Sequence, residues 1–386
     1  MSDCVGRDPS TVSDWSNDRR KQRLHDTRIG SGLTGVRRIL LLIALASVPM
    51  LLVCGQYWTR DVAPERARLA QTQPQIFDID HARDTADTST AVVDMVGLGN
   101  IDASDTARTL TSLDLIGRVW AIRYDDGGID TKVISDIIVD KAQGAKVKRV
   151  VLVGHSMGGV IALEVAQHIY RDTAIDVLGV VLDCTPLDLD GVRPESRDAG
   201  EELLRWIGWV PGARESRTLR FAVEVAARED RFVHRDSRGI PRVAFGDLKD
   251  VVGEVLRDKI LSADVASNGL IASQFITIVA SGAVDNLKSL ATEREDKPRP
   301  AVVFLRPRNA LADNVVDDDL TQKILVERSG GQDGTLLVAK LDNTGHANPN
   351  QRPVEYNTAI ADRIVPFLQQ ISAANASREE LSAGRR

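Results

Sequence analysis

The clearest regularity along the chain is a set of short, nearly uninterrupted apolar runs separated by amphipathic stretches. The runs are Thr90–Val96, Val119–Tyr124, Val147–Val153, Val177–Asp183, Ala301–Arg306 and Thr335–Leu341. Runs of this length without strict alternation suit strands buried on both faces of a parallel sheet. Helix-like segments separate most of them. The pattern therefore predicts an α/β protein with a doubly wound, mostly parallel sheet. Gln75–Ile79 is a candidate early strand. In such a sheet the active site lies at the carboxyl ends of the strands.

The alternation is lost between about Asp188 and Lys297, which reads as helices and loops. Leu203, Trp206, Ile207 and Val210 recur at i, i+3, i+4 and i+7, an amphipathic face ahead of Pro211. Leu270–Ile276 is a second apolar run. These segments either fasten a helical cap to the sheet or line an acyl or lipid pocket. The expected partition is a disordered cytoplasmic tail over 1–35, a transmembrane anchor over 36–58 and a charged helical linker over 59–74. The core follows in two parts, 75–187 and 298–372, with the cap over 188–297 between them and a flexible tail over 373–386. No internal repeat is present.

Ile39–Gly55 is nearly free of charge and, with Gln56, Tyr57 and Trp58, reaches bilayer-spanning length. Arg37-Arg38 ahead of it and Tyr57-Trp58 behind it fit an anchor whose N-terminus stays in the cytoplasm and whose globular part is exported. A cleaved signal peptide is the competing reading. Against it, the charged region ahead is long, and Ala44-Leu45-Ala46 falls inside the apolar run rather than after it.

Gly154-His155-Ser156-Met157-Gly158-Gly159 joins the Val147–Val153 run to a helix-like segment. A serine between glycines on a sharp strand-to-helix turn reads as a nucleophile elbow. Side chains at Gly154 and Gly158 would collide there, and the helix N-terminus after Ser156 offers N–H groups to any negative charge developing beside it.

On these residues the chain resembles the α/β-hydrolase family over about Thr90 to Gln370. That family orders its triad Ser…Asp/Glu…His. Of six histidines, His346 alone lies in the C-terminal third, in a loop of small residues after Thr335–Leu341. The resemblance implies that it is the base. Asp313, in Asp313-Asn314-Val315-Val316, is similar to the family's acid loop; Asp317 and Asp183 are alternatives. The resemblance also implies an oxyanion hole from the N–H groups of Met157 and of Leu98, in Gly97-Leu98-Gly99-Asn100. Relatives commonly open this loop with His-Gly where this chain has Val96-Gly97. His155 is expected to pack beside the elbow rather than act as base.

The implied activity is ester hydrolysis by a serine hydrolase without metal or organic cofactor. Acyl transfer or thioester cleavage on envelope lipids, and a non-catalytic surface protein on the same fold, are the alternatives. The formal charge of −6 and the 4% aromatic content give no support for nucleic-acid binding. Three cysteines build no disulfide framework, and no metal-ligand spacing is present. The expected partners are a small-molecule or lipid ester and the membrane; the oligomeric state is left open.

Overall fold

The computed structural model describes residues 20–25, 35–79, 87–235, 241–262, 265–292, 294, 297–329 and 335–383. The chain forms two units, Met1–Arg60 and Asp61–Arg386. Apart from a helical stretch at 20–25, the expected N-terminal tail lies outside the described residues. The main element of the first unit is a 23-residue helix, Gly35–Tyr57, with no buried residue. It belongs to the one helix among the described residues that is long and apolar enough to cross a membrane, a property shared with signal sequences.

The second unit is built on a seven-stranded sheet of order β1-β3-β2-β4-β5-β8-β9. Its strands are β1 (Gln75–Ile79), β2 (Thr90–Met95), β3 (Arg118–Arg123), β4 (Arg149–His155), β5 (Asp176–Asp183), β8 (Ala301–Pro307) and β9 (Leu336–Leu341). β1 runs antiparallel to β3, and the other neighbours are parallel. Every residue of β2 and of β8 is buried, which is why those segments read as continuous apolar runs. Helices supply the cover, among them Thr131–Gly144 through Ile134 and Ile138, and Met157–Asp172 through Val160, Ile161 and Val165.

Between β5 and β8 the chain leaves the sheet for helices Pro194–Trp209, Arg217–Ala226, Phe245–Val255, Asn268–Ala280 and Ala283–Ala291. A hairpin of β6 (Val233–Arg235) and β7 (Pro241–Val243) interrupts them. Phe232, Val251 and Val255 give this insertion a small core of its own. Helix Asn268–Ala280 turns Leu270, Phe275 and Ile278 inward.

Three expectations are corrected. Helix Pro194–Trp209 half-buries Leu203 and Ile207 of the expected face but leaves Trp206 53% exposed. It turns Gly200 and Leu204 inward: a Cβ at Gly200 would sit 2.0 Å from the Phe275 ring, and Leu204 packs on the main core. The segment read as a linker joins the domain from Asp61 onward. Val62 and Glu65 are buried, the Arg68 guanidinium pairs with Asp126, and Ser216 Oγ donates to Asp61 Oδ2 at 2.6 Å. Its charges face partners contributed by distant sequence, which no local pattern reveals. Within the segment read as a flexible tail, 373–383 continue helix Val365–Ala383, and 384–386 lie outside the described residues.

Candidate functional site

β4 ends at His155, and helix Met157–Asp172 begins two residues later. Ser156 between them holds φ 55° and ψ −124°, a strained conformation for a residue with a Cβ. The bend leaves no room for neighbouring side chains. A Cβ on Gly154 would lie 2.4 Å from the backbone of Gly158, and one on Gly158 would lie 2.4 Å from the carbonyl oxygen of Met95. Neighbouring β5 anchors the bend, since Ser156 N–H donates to the Asp183 carbonyl at 2.7 Å.

His346 follows β9 in a tight loop. Its Nε2 lies 2.8 Å from Ser156 Oγ, and its Nδ1 lies 2.8 Å from Asp313 Oδ2. Asp313 is fully buried, and its other oxygen accepts the N–H groups of Val315 and Val316, both at 2.8 Å. Burial alone would raise this carboxyl. The hydrogen bond and charge of His346, with the two N–H donors, outweigh burial and hold it below the ordinary carboxylate range. A carboxylate kept ionised in this position fixes the proton on Nδ1, which leaves Nε2 free to accept from the serine hydroxyl.

The two alternative acids are engaged elsewhere. Asp317 caps helix Asp318–Arg328 by accepting from Leu320 N–H at 3.1 Å. Asp183 accepts from His155 Nδ1 at 2.8 Å and from the Tyr356 hydroxyl at 3.0 Å. Tyr356 oxygen also accepts the Asn348 N–H, two residues beyond His346, at 3.2 Å. On the other side of the ring, His155 Nε2 lies 3.0 Å from Asp94 Oδ1, an ion-pair distance not aligned as a hydrogen bond. Burial alone would lower this imidazole; the nearby charge of Asp94 and the charge and hydrogen bond of Asp183 reverse that and raise it to about 10. His155 thus lies between carboxylates near the ends of β2 and β5, which favour its charged form, directly beside Ser156.

Leu98 belongs to the turn after β2, and its N–H donates to no other group among the described residues. Met157 N–H occupies the first helical position, where no intrahelical acceptor exists. Ser156 and His346 open on a cavity of about 280 Å³ whose apolar lining includes Leu98, Val192, Phe275, Ile278, Val315 and Val316.

Sequence reasoning missed Arg193. Its Nε donates to the Asp313 carbonyl at 2.7 Å and a terminal nitrogen to the Ala310 carbonyl at 3.0 Å, so the insertion braces the acid loop. No local pattern distinguishes it from the other arginines. The Asp94–His155–Asp183 group had a signal, since Asp94 and Asp183 fall near the carboxyl ends of predicted strands and His155 falls two residues beyond another.

Cys184 Sγ, Asp313 and His346 present ligand atoms within 4.8 Å of one another, the one such group among the described residues. The acid and the imidazole already bond to each other. Burial, reinforced by the carboxylates of Asp183, Asp318 and Asp313, raises the Cys184 thiol and keeps it protonated.

The sequence profile of the alpha/beta hydrolase family matches residues 50–359. The chain belongs to that family. No curated protein sequence matches it. Among solved structures, this hydrolase is similar to a monoacylglycerol lipase of Paleococcus ferrophilus, at 15% identity over 77% of this chain and 99% of that one, TM-score 0.46. It is similar also to a thermophilic esterase of Thermogutta terrifontis, at 16% identity over 77% and 93%, TM-score 0.47. A proline iminopeptidase of Mycobacterium smegmatis aligns at 13% identity over 78% and 95%, TM-score 0.42.

Proposed function

We propose that this hydrolase is a membrane-anchored serine esterase that cleaves carboxylic esters through an acyl-Ser156 intermediate. The observation that carries the reading is the continuous relay from Ser156 Oγ through His346 to Asp313, with both contacts at 2.8 Å. His346 Nε2 takes the hydroxyl proton as Oγ attacks the ester carbonyl, then delivers it to the leaving alcohol. Asp313 holds the ring tautomer and stabilises the imidazolium while it carries the extra proton. The unpaired N–H of Leu98 and that of Met157 receive the negative charge of the tetrahedral oxygen. Water repeats the sequence on the acyl-enzyme and releases the acid. The apolar cavity favours a hydrocarbon acyl or alkyl group over a charged one.

Anchoring rests on helix Gly35–Tyr57, which has no buried side chain and is flanked by Arg37-Arg38 and Tyr57-Trp58. With the N-terminus cytoplasmic, the catalytic domain lies outside the cell membrane. The deciding experiment compares wild type with Ser156→Ala on a panel of p-nitrophenyl esters. Turnover is expected in the wild type, with a loss of at least about 10³-fold in a folded variant. Equal turnover in the two proteins refutes the reading.

A further inference from the structure

The loop that carries the Leu98 N–H is intrinsically soft. It holds two glycines in four residues, and Gly99 sits at φ 83°. On one side it leans on the elbow: a Cβ at Gly97 would lie 3.0 Å from the His155 carbonyl oxygen and 3.2 Å from Ser156 Cβ. Its internal hold is a single turn bond, Asn100 N–H to the Gly97 carbonyl at 3.3 Å, with a long contact from the Asn100 amide to the Leu98 carbonyl at 3.4 Å. Tyr124 hydroxyl fixes the residue before it, donating to the Val96 carbonyl at 2.9 Å.

Gln274 holds its outer side. This residue is on helix Asn268–Ala280 of the insertion, is 0% exposed and shares the helix's inward face with Leu270, Phe275 and Ile278. A buried amide in such surroundings is costly unless its groups are bonded. Both ends are. Oε1 accepts the Gly99 N–H at 2.9 Å, and Nε2 donates to the Asn100 carbonyl at 2.8 Å. The two bonds grip consecutive residues of one loop, as a neighbouring strand would. A second residue preceding the same helix, Val265, bridges Asn100 in antiparallel fashion.

We infer that Gln274 is a positioning residue, which clamps Gly99 and Asn100 so that the Leu98 N–H stays aimed at the oxygen that becomes charged above Ser156. The inference rests on the serine-hydrolase reading and goes beyond it. The insertion completes the oxyanion-stabilising loop, so its helix Asn268–Ala280 cannot swing away as a lid without releasing that loop. The clamp acts on transition-state charge rather than on substrate affinity, because ground-state esters place little charge on the carbonyl oxygen.

The test uses the full-length chain in detergent. It reads p-nitrophenyl butyrate kinetics, inhibition by phenylboronic acid, which forms a tetrahedral adduct on serine, and thermal unfolding. Gln274→Leu removes both bonds. The expected result is a kcat lowered by about 10-fold or more with KM within about twofold, and phenylboronic acid weakened in parallel. An unchanged kcat and unchanged boronate affinity in folded Gln274→Leu overturns the inference. Gln274→Glu covers the case in which the leucine variant fails to fold. As a neutral acid the replacement accepts from Gly99 and donates to Asn100; once ionised it can only accept. Its kcat relative to wild type should therefore fall as pH rises, and a flat ratio overturns the inference. Failure of the underlying reading appears separately, as a wild type that neither turns over the ester nor takes a fluorophosphonate on Ser156.

Discussion

Asp183 Oδ2 lies 2.8 Å from His155 Nδ1, so this carboxylate serves the elbow histidine and not the histidine that meets Ser156. Two carboxylates thus address two imidazoles beside the same serine, one adjacent to it in sequence and one 190 residues away. Exchanging each for its amide should separate them. Asp313→Asn leaves His346 without its tautomer anchor and should lower kcat on the order of 10³–10⁴-fold with little loss of stability. Asp183→Asn should keep the relay but destabilise the fold by about 2 kcal/mol, because it weakens the charge-assisted bonds that His155 Nδ1 and the Tyr356 hydroxyl donate to this carboxylate. Ester kinetics beside thermal unfolding checks the pair. Similar kinetic damage from both would contradict the division of labour.

The His155 ring between its two carboxylates makes stability depend on pH. The folded His155 is raised from 6.5 to about 10, so its contribution is complete below about pH 6.5 and is lost as pH climbs to about 10. Denaturant unfolding between pH 6 and 10 should show this decline in the wild type. In His155→Gln, which is less stable at pH 6, the slope should be shallower. Parallel slopes would mean that the ring is not charged in the fold.

Asp318 presents the opposite case. It is fully buried, and neither carboxyl oxygen has a hydrogen-bond partner among the described residues. Burial first, then the charge of Asp313, raises it from 3.8 to about 8 despite the nearby Arg306. An acid raised in the fold loses stability as pH rises from about 3.8 to 8. Asp318→Asn removes that penalty. It should match wild type near pH 4 and show the higher Tm at pH 8. A lower Tm at pH 8 would show that the carboxylate has a partner in solution.

The cavity beside Ser156 predicts a chain-length effect. Ile278 and Val316 are part of its wall. Ile278→Trp should fill much of the space and shift preference toward acetate esters, lowering kcat/KM for octanoate by about 10-fold or more relative to acetate. Paired p-nitrophenyl esters read the ratio directly, and an unchanged ratio would place the acyl chain elsewhere.

The elbow was legible in the sequence because its requirements are local. A serine forced to positive φ, with backbone pressed against both neighbours, tolerates only glycine at Gly154 and Gly158. The strands were legible because a segment buried on both faces must be apolar throughout, as β2 and β8 are. Three aspartates could each have served His346 by position along the chain. Only the fold turns Asp313 toward its ring, sends Asp317 to a helix cap and pairs Asp183 with His155. Arg193 and Gln274 stayed hidden for the same reason. Each bonds backbone 100 or more residues away, and a contact made by chain crossing leaves no periodic trace. The sequence by itself determined the parallel sheet, the bend and the serine on it, since these follow from sterics and burial within a few residues. The tertiary structure decided which charges meet, because a carboxylate's role depends on what folding brings within about 3 Å of its oxygens.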